Sequence, residues 1–200
     1  MSPTQGRPRV AALIDGQNFS NALKDAFGLR RPALNLPAIV NGLCEQRGWQ
    51  LEQVRFYTGM VDRGLEPDLH AYWMRRLSQY GRQPGVTVWT RHNSYGTRRL
   101  SCEKCGQVTL QRVGREKGVD LRIALDATRL AYEREVDVVL LFTQDQDFYE
   151  LVTELRHITE RQGRTDFVVA SAFPIGQGRR RGGVRGTLQI PLSKEDVQAT

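Results

Sequence analysis

The apolar positions of this chain fall into two rhythms that alternate along its length. Val10–Ile14 and Val138–Phe142 are unbroken apolar runs, the pattern of strands buried on both faces in a parallel sheet. Leu51–Thr58 alternates through Val54 and Phe56, and Val86–Thr90 and Asp166–Ala172 are two further short segments of strand character. In chain order these predict five strands, with Thr187–Pro191 as a short sixth. Between them the spacing turns helical. One helix is expected to begin near Phe19 after a tight turn at Gly16. A second covers Leu36–Arg47, capped by Asn35 with Pro37 in its first turn. A third covers Asp68–Tyr80, with Leu69, Tyr72, Trp73 and Leu77 on one side. Val119–Glu133 and about Phe148–Gln162 follow, then a terminal turn capped by Ser193.

Strand and helix in alternation predict an α/β fold with a mainly parallel central sheet and helices on both faces. One domain is expected over residues 9–192. Two stretches break the rhythm. Residues 91–116 are polar and basic and read as an irregular insertion, and Gly176–Gly186 is an Arg/Gly segment too poor in apolar side chains to pack.

Ligands of such sheets lie beyond the carboxyl ends of the strands, and four carboxylates are expected there. Asp145 and Asp147 follow the fourth strand, Val138–Phe142, and Asp15 follows the first. Asp120 opens the helix that leads back to the fourth strand. If the first and fourth strands are neighbours, all four share one crevice. Each has a plainer role open to it: Asp145 as a helix cap, Asp15 as turn chemistry, Asp120 as a complement to a helix dipole. Together, four like charges at close range call for a cation. An all-oxygen donor set suits Mg²⁺ or Mn²⁺, and such ions promote phosphodiester hydrolysis. Asn18, one turn beyond Asp15, is positioned to orient a ligand, and Lys117 to hold a phosphate. Asp126, in mid-helix, is expected to be a solvated or structural acid. An aspartyl phosphatase would need Asp-x-Asp after the first strand, where this chain has Asp15-Gly-Gln.

Composition adds a partner. Lys plus Arg number 29 against 22 Asp plus Glu, a net charge of +7 over 200 residues, and an arginine-weighted excess favours nucleic acid. No apolar run reaches the ~20 residues of a membrane span. MSPTQGRPRV has no signal-peptide core, and three cysteines make no disulfide framework, so a cytoplasmic setting is expected.

Three stretches carry a resemblance. Leu13-Ile-Asp15-Gly-Gln-Asn18, Glu116-Lys-Gly-Val-Asp120 with Ala124-Leu-Asp126, and Phe142-Thr-Gln-Asp145-Gln-Asp147-Phe148 resemble the signatures of the NYN domain. More narrowly they resemble its LabA/DUF88 branch, within the PIN-like nuclease superfamily. Order and spacing match over about residues 9–171. The resemblance implies a PIN-like three-layer α/β/α sandwich and divalent-metal-dependent endoribonuclease activity. It gives Asp15, Asp120, Asp145 and Asp147 metal-site roles, with Asn18 nearby. Where the family commonly has Ser-Gly-Asp-Ser-Asp-Phe, this chain has Gln144 for the glycine and Gln146 for the small hydroxyl residue. That departure keeps a second outcome open, a non-catalytic RNA-binding or regulatory protein with a degenerate metal site.

Two basic or cysteine-bearing features remain. Cys102-Glu-Lys-Cys105-Gly106 is half of a zinc knuckle, with His92 the nearest further ligand and Cys44, His70 and His157 more distant ones. A ligand from a second chain would make a homodimer. Arg179, Arg180, Arg181 and Arg185, set among glycines, suit an RNA backbone without reading its sequence. Arg91, Arg98, Arg99, Arg112 and Arg115 extend the basic surface, and Tyr95 is offered either for base stacking or for packing.

Overall fold

A computed structural model of the chain describes residues 6–30, 32–101, 105–176 and 182–198. In order it contains β1 (Arg9–Asp15), α1 (Gly16–Phe27), α2 (Leu36–Glu45), β2 (Gln50–Met60), α3 (Pro67–Tyr80) and β3 (Val86–His92). Then come β4 (Ser94–Ser101), β5 (Val108–Arg115), α4 (Val119–Tyr132), β6 (Val138–Phe142) and α5 (Tyr149–Arg161). β7 (Val168–Pro174), β8 (Leu188–Leu192) and α6 (Lys194–Gln198) complete it. The main sheet runs β3-β2-β1-β6-β7-β8, and every neighbouring pair is parallel.

The two unbroken apolar runs are central neighbours, with Val10 opposite Val138 and Ile14 opposite Phe142. Alternate residues of each run serve opposite faces. Val10, Ala12, Ile14, Val138, Leu140 and Phe142 join a core completed by α1, α2, α3 and α6. Ala11, Leu13, Val139 and Leu141 join a second core built with α4 and α5. This is the three-layer α/β/α arrangement expected. Both faces are covered, so neither alternates with polar residues, and each buried Val, Leu, Ile or Phe contributes roughly 1.5–3 kcal/mol. Phe19 of α1 meets Phe142 of β6 edge to face, centroids 5.2 Å apart. That contact fixes the start of α1 against the end of β6. The chain works outward from β1 through β2 to β3 on one side and from β6 through β7 to β8 on the other, so the switch point lies between β1 and β6. Among the described residues, no helix is long and apolar enough to cross a membrane.

Three expectations are corrected. No turn intervenes at Gly16: α1 begins there, because the Asp15 carboxylate accepts the Asn18 backbone N–H at 3.0 Å and caps the helix. A side chain on Gly16 would run into the Phe56 ring and the Tyr57 carbonyl. Nor are the described residues of 91–116 irregular. β3 runs on to His92, and β4 and β5 form an antiparallel hairpin pairing Ser94 with Arg115 and Ser101 with Val108. Almost every side chain of the hairpin faces water, so no apolar alternation marks its strands. Tyr95 anchors it: its hydroxyl accepts the Asp62 N–H at 2.8 Å and donates to Glu66 at 3.2 Å. Tyr95 therefore packs.

The third correction concerns the Arg/Gly segment, in which Gly183 and Val184 are buried. Val184 is fully buried in the α4/α5 core. Gly183 donates its N–H to Gln189 at 2.8 Å and lies so close to Ser171 that a side chain would collide with it. Arg179, Arg180 and Arg181 lie outside the described residues.

Candidate active site

Asp15 is the last residue of β1 and, as the cap of α1, is held rigidly at the switch point. It is almost wholly buried. Asp145 is the third residue after β6 and accepts the Asp147 N–H at 3.0 Å, capping the short 3₁₀ turn Gln146–Phe148 that leads into α5. Thr143 Oγ1 accepts the Asp145 N–H at 3.2 Å, fixing the backbone just before that turn. Asn18 bridges the two strands' ends, its Oδ1 accepting the Gln144 N–H at 2.9 Å. Asp120 stands in the first turn of α4, and Asp120 and Asp147 are both exposed.

Electrostatics tie these acids together. Burial pushes Asp15 up to about 7, and the charges of Glu116, Asp120 and Asp145 push in the same direction against the Asn18 hydrogen bond. Asp120 is raised by burial and then by Asp145 and Asp147. Glu116 is raised by burial and by Asp120. The predicted acids thus act on one another across the crevice, and Glu116 joins them as a carboxylate that strand-end reasoning does not point to. Its side chain accepts the Gly59 N–H at the end of β2. The signal for it lies in the sequence: Glu116 opens the stretch Glu116-Lys-Gly-Val-Asp120, four residues before Asp120.

Among the described residues, no three His, Cys, Asp or Glu side chains are arranged to hold a metal ion as they stand. The donor set nonetheless fits a hard divalent cation. It is all oxygen, and its buried member is pushed toward protonation first by burial and then by its like-charged neighbours. Asp120 and Asp147 are exposed, so rotation of their side chains toward a common ion meets little packing. Asp126 belongs elsewhere. It is buried and accepts the Tyr57 hydroxyl at 2.9 Å, with Arg122 at 2.9 Å and Arg55 at 3.4 Å. This is a structural ion network beneath α4.

Lys117 is exposed in the link to α4. Arg185 lies over the Tyr149 ring at 4.3 Å. The zinc knuckle is only partly in view: Cys102 lies outside the described residues, and Cys105 and His92 are exposed. Cys44 is a core residue of α2 whose thiol burial pushes up to about 11, so it is no zinc ligand.

Two of the recesses near this end of the sheet lie along α1. A groove of about 810 Å³ runs past Asn18, Lys24, Gln144, Asp145 and Gln146 to Gly182. A smaller pocket lies across α1, floored by Thr58 and Gly59.

In a comparison with known proteins, the model of the NYN domain matches residues 9–161. The chain belongs to the NYN domain family. NYN domains are part of the PIN-like superfamily, and membership implies a nuclease-like, RNA-related function. No curated protein matches this NYN chain. Among solved structures it is similar to a protein of unknown function, VPA0982, from Vibrio parahaemolyticus RIMD 2210633. The two are 20% identical with a TM-score of 0.47, over 84% of this chain and 83% of that one.

Proposed function

We propose that this NYN protein is a divalent-metal-dependent endoribonuclease of the LabA/DUF88 branch. It would hydrolyse RNA phosphodiester bonds at the carboxyl end of the sheet. The observation that carries the reading is the burial of the Asp15 carboxylate at the β1–β6 switch point, where Asn18 ties its helix to the turn that carries Asp145. Asp15, Asp120, Asp145 and Asp147 would hold Mg²⁺ or Mn²⁺. A bound ion of this kind lowers the pKa of an attacking water and stabilises the leaving oxyanion. The chain's own residues do the rest. Asn18 locks the β6 turn to α1 so that Asp15 and Asp145 keep their separation. Lys117 and Arg185, with Arg179, Arg180 and Arg181, supply phosphate contacts. The net charge of +7 draws in the polyanion.

A second reading has one observation in its favour. Gln146 stands where the resemblance expects a small hydroxyl, and both ends of its amide are engaged. Nε2 donates to the Gln144 and Gly183 carbonyls, and Oε1 accepts the Arg185 N–H. A non-catalytic RNA-binding or regulatory protein with a degenerate metal site would tolerate that.

One assay separates the two. Wild type and Asp145→Asn are incubated with single-stranded and structured RNA in Mn²⁺ or Mg²⁺. Metal-dependent cleavage by wild type alone is expected. Cleavage that survives the substitution sinks the nuclease reading, and salt-sensitive binding without cleavage selects the alternative.

A further inference from the structure

The smaller pocket, of about 340 Å³, lies between α1 and α3 at the carboxyl ends of β2 and β3. Its volume is at the lower end of small-ligand sites (~300–1,000 Å³), room for one nucleotide and not for a duplex. Tyr72 and Trp73 line one side, and Lys24 and Arg30 supply cations. Asn93, at the β3–β4 junction, lines it too, and its Oδ1 is buried with no hydrogen-bond partner. A buried acceptor left unpaired is unfavourable, and the N–H edge of a base would relieve it. Aromatic side chains with flanking cations are what single-stranded nucleic acid meets, bases on rings and phosphates on guanidinium or ammonium groups.

The pocket also adjoins the acids. Gly59 in its floor donates its N–H to Glu116, and Gln17 on its rim is two residues from Asp15. Asn21 and Lys24 line both this pocket and the larger groove beside Asp145, so one strand crossing α1 would touch both.

We propose that this pocket is a subsite for one unpaired base of single-stranded RNA, next to the phosphate held at the acid cluster, with Lys24 and Arg30 taking flanking phosphates. The proposal rests on the nuclease reading for the neighbouring acids, but its binding chemistry does not require turnover. Trp73 packs on Phe56, centroids 6.3 Å apart, so Tyr72 is the safer side chain to remove.

The test is equilibrium binding in EDTA of two fluorescent probes, pentauridylate and a five-unit abasic ribose-phosphate chain. Wild type should bind pentauridylate roughly five- to a hundredfold more tightly, the range for one stacked base. Tyr72→Ala should bind both probes alike. Arg30→Ala should weaken both equally and reduce the salt slope by about one. A base preference undiminished in Tyr72→Ala overturns the subsite, as does its absence in wild type. Base preference lost in Tyr72→Ala, in a protein that cleaves nothing in Mn²⁺, upholds the subsite while overturning the nuclease.

Discussion

Asp15 is held in a place where its charge is unfavourable, and replacing it tests that directly. Its folded pKa is raised from 3.8 to about 7, first by burial and then by Glu116, Asp120 and Asp145. The native state therefore binds more protons than the unfolded chain between those values. Stability from this residue is complete below about 4, falls as pH rises, and reaches its low plateau above about 7. At ~1.4 kcal/mol per unit, the full interval amounts to about 4 kcal/mol, and side-chain relaxation and water entry bring the expectation nearer ~2–3 kcal/mol. Asp15→Asn removes the charge and keeps the shape. Asparagine is as good a helix cap as aspartate, so the bond from the Asn18 N–H survives. In EDTA at pH 8 the variant should resist urea better than wild type, and at pH 4 the two should unfold together. Mn²⁺ should stabilise wild type and leave Asp15→Asn nearly unmoved, as expected for a ligand bound by the native state. Cleavage should be lost. An Asp15→Asn protein that is less stable at pH 8, or whose advantage is independent of pH, would refute the argument that this carboxylate is held under electrostatic strain.

Other substitutions separate structure from chemistry. Asp126→Ala leaves Arg55 a largely buried cation and the Tyr57 hydroxyl unpaired, and should cost about 3–5 kcal/mol in urea unfolding. The folded fraction should cleave at the wild-type specific rate. Asp137 accepts from Arg9 at 2.9 Å and 3.1 Å and from Arg164 at 3.1 Å, and its pKa is lowered by Arg9 and Arg164 in spite of burial. Its contribution is present above the ordinary aspartate range and is lost as pH falls through its depressed value. Asp137→Asn should therefore flatten the acid limb of the stability profile measured by thermal melting. Gln146→Ser removes the bonds to Gly183 and Arg185. It should speed proteolysis near Gly182–Gly186 and weaken RNA binding severalfold while leaving Mn²⁺ binding unchanged.

The fold was legible where burial writes a pattern. The runs at β1 and β6 have no polar break because both faces are covered, and that identified the centre of the sheet and its four flanking aspartates. What burial does not write stayed hidden. The β4–β5 hairpin is solvent-facing along nearly its whole length, and its strands are held by backbone pairing that polar sequences also permit. Val184 is invisible to such patterning because a single apolar residue among glycines and arginines carries no periodicity, yet it is wholly buried. Glu116 is hidden for a different reason. It precedes its helix, so neither strand-end nor helix-face reasoning points to it, and only the fold of β5 back toward β2 sets it against Gly59.

The same logic bears on the glutamines that set this chain apart from the family pattern. Read from sequence alone, Gln146 is a missing hydroxyl at the metal site. In the structure it joins the Asp145 turn to the foot of the Arg/Gly segment through two hydrogen bonds of 3.1 Å, to Gly183 and Arg185, and braces itself on the Gln144 carbonyl at 3.2 Å. Val184 in the core and Arg156, donating to the Gly186 carbonyl, secure the same foot. A serine is too short to make those contacts. The departure from pattern therefore has a cause that does not involve loss of the carboxylates, because a longer side chain is what ties a basic segment to this turn. Whether Gln146 also hinders turnover is a question of rate. Comparing cleavage by wild type and Gln146→Ser at saturating RNA answers it, since saturation removes the binding defect and leaves only the chemistry at Asp15, Asp120, Asp145 and Asp147.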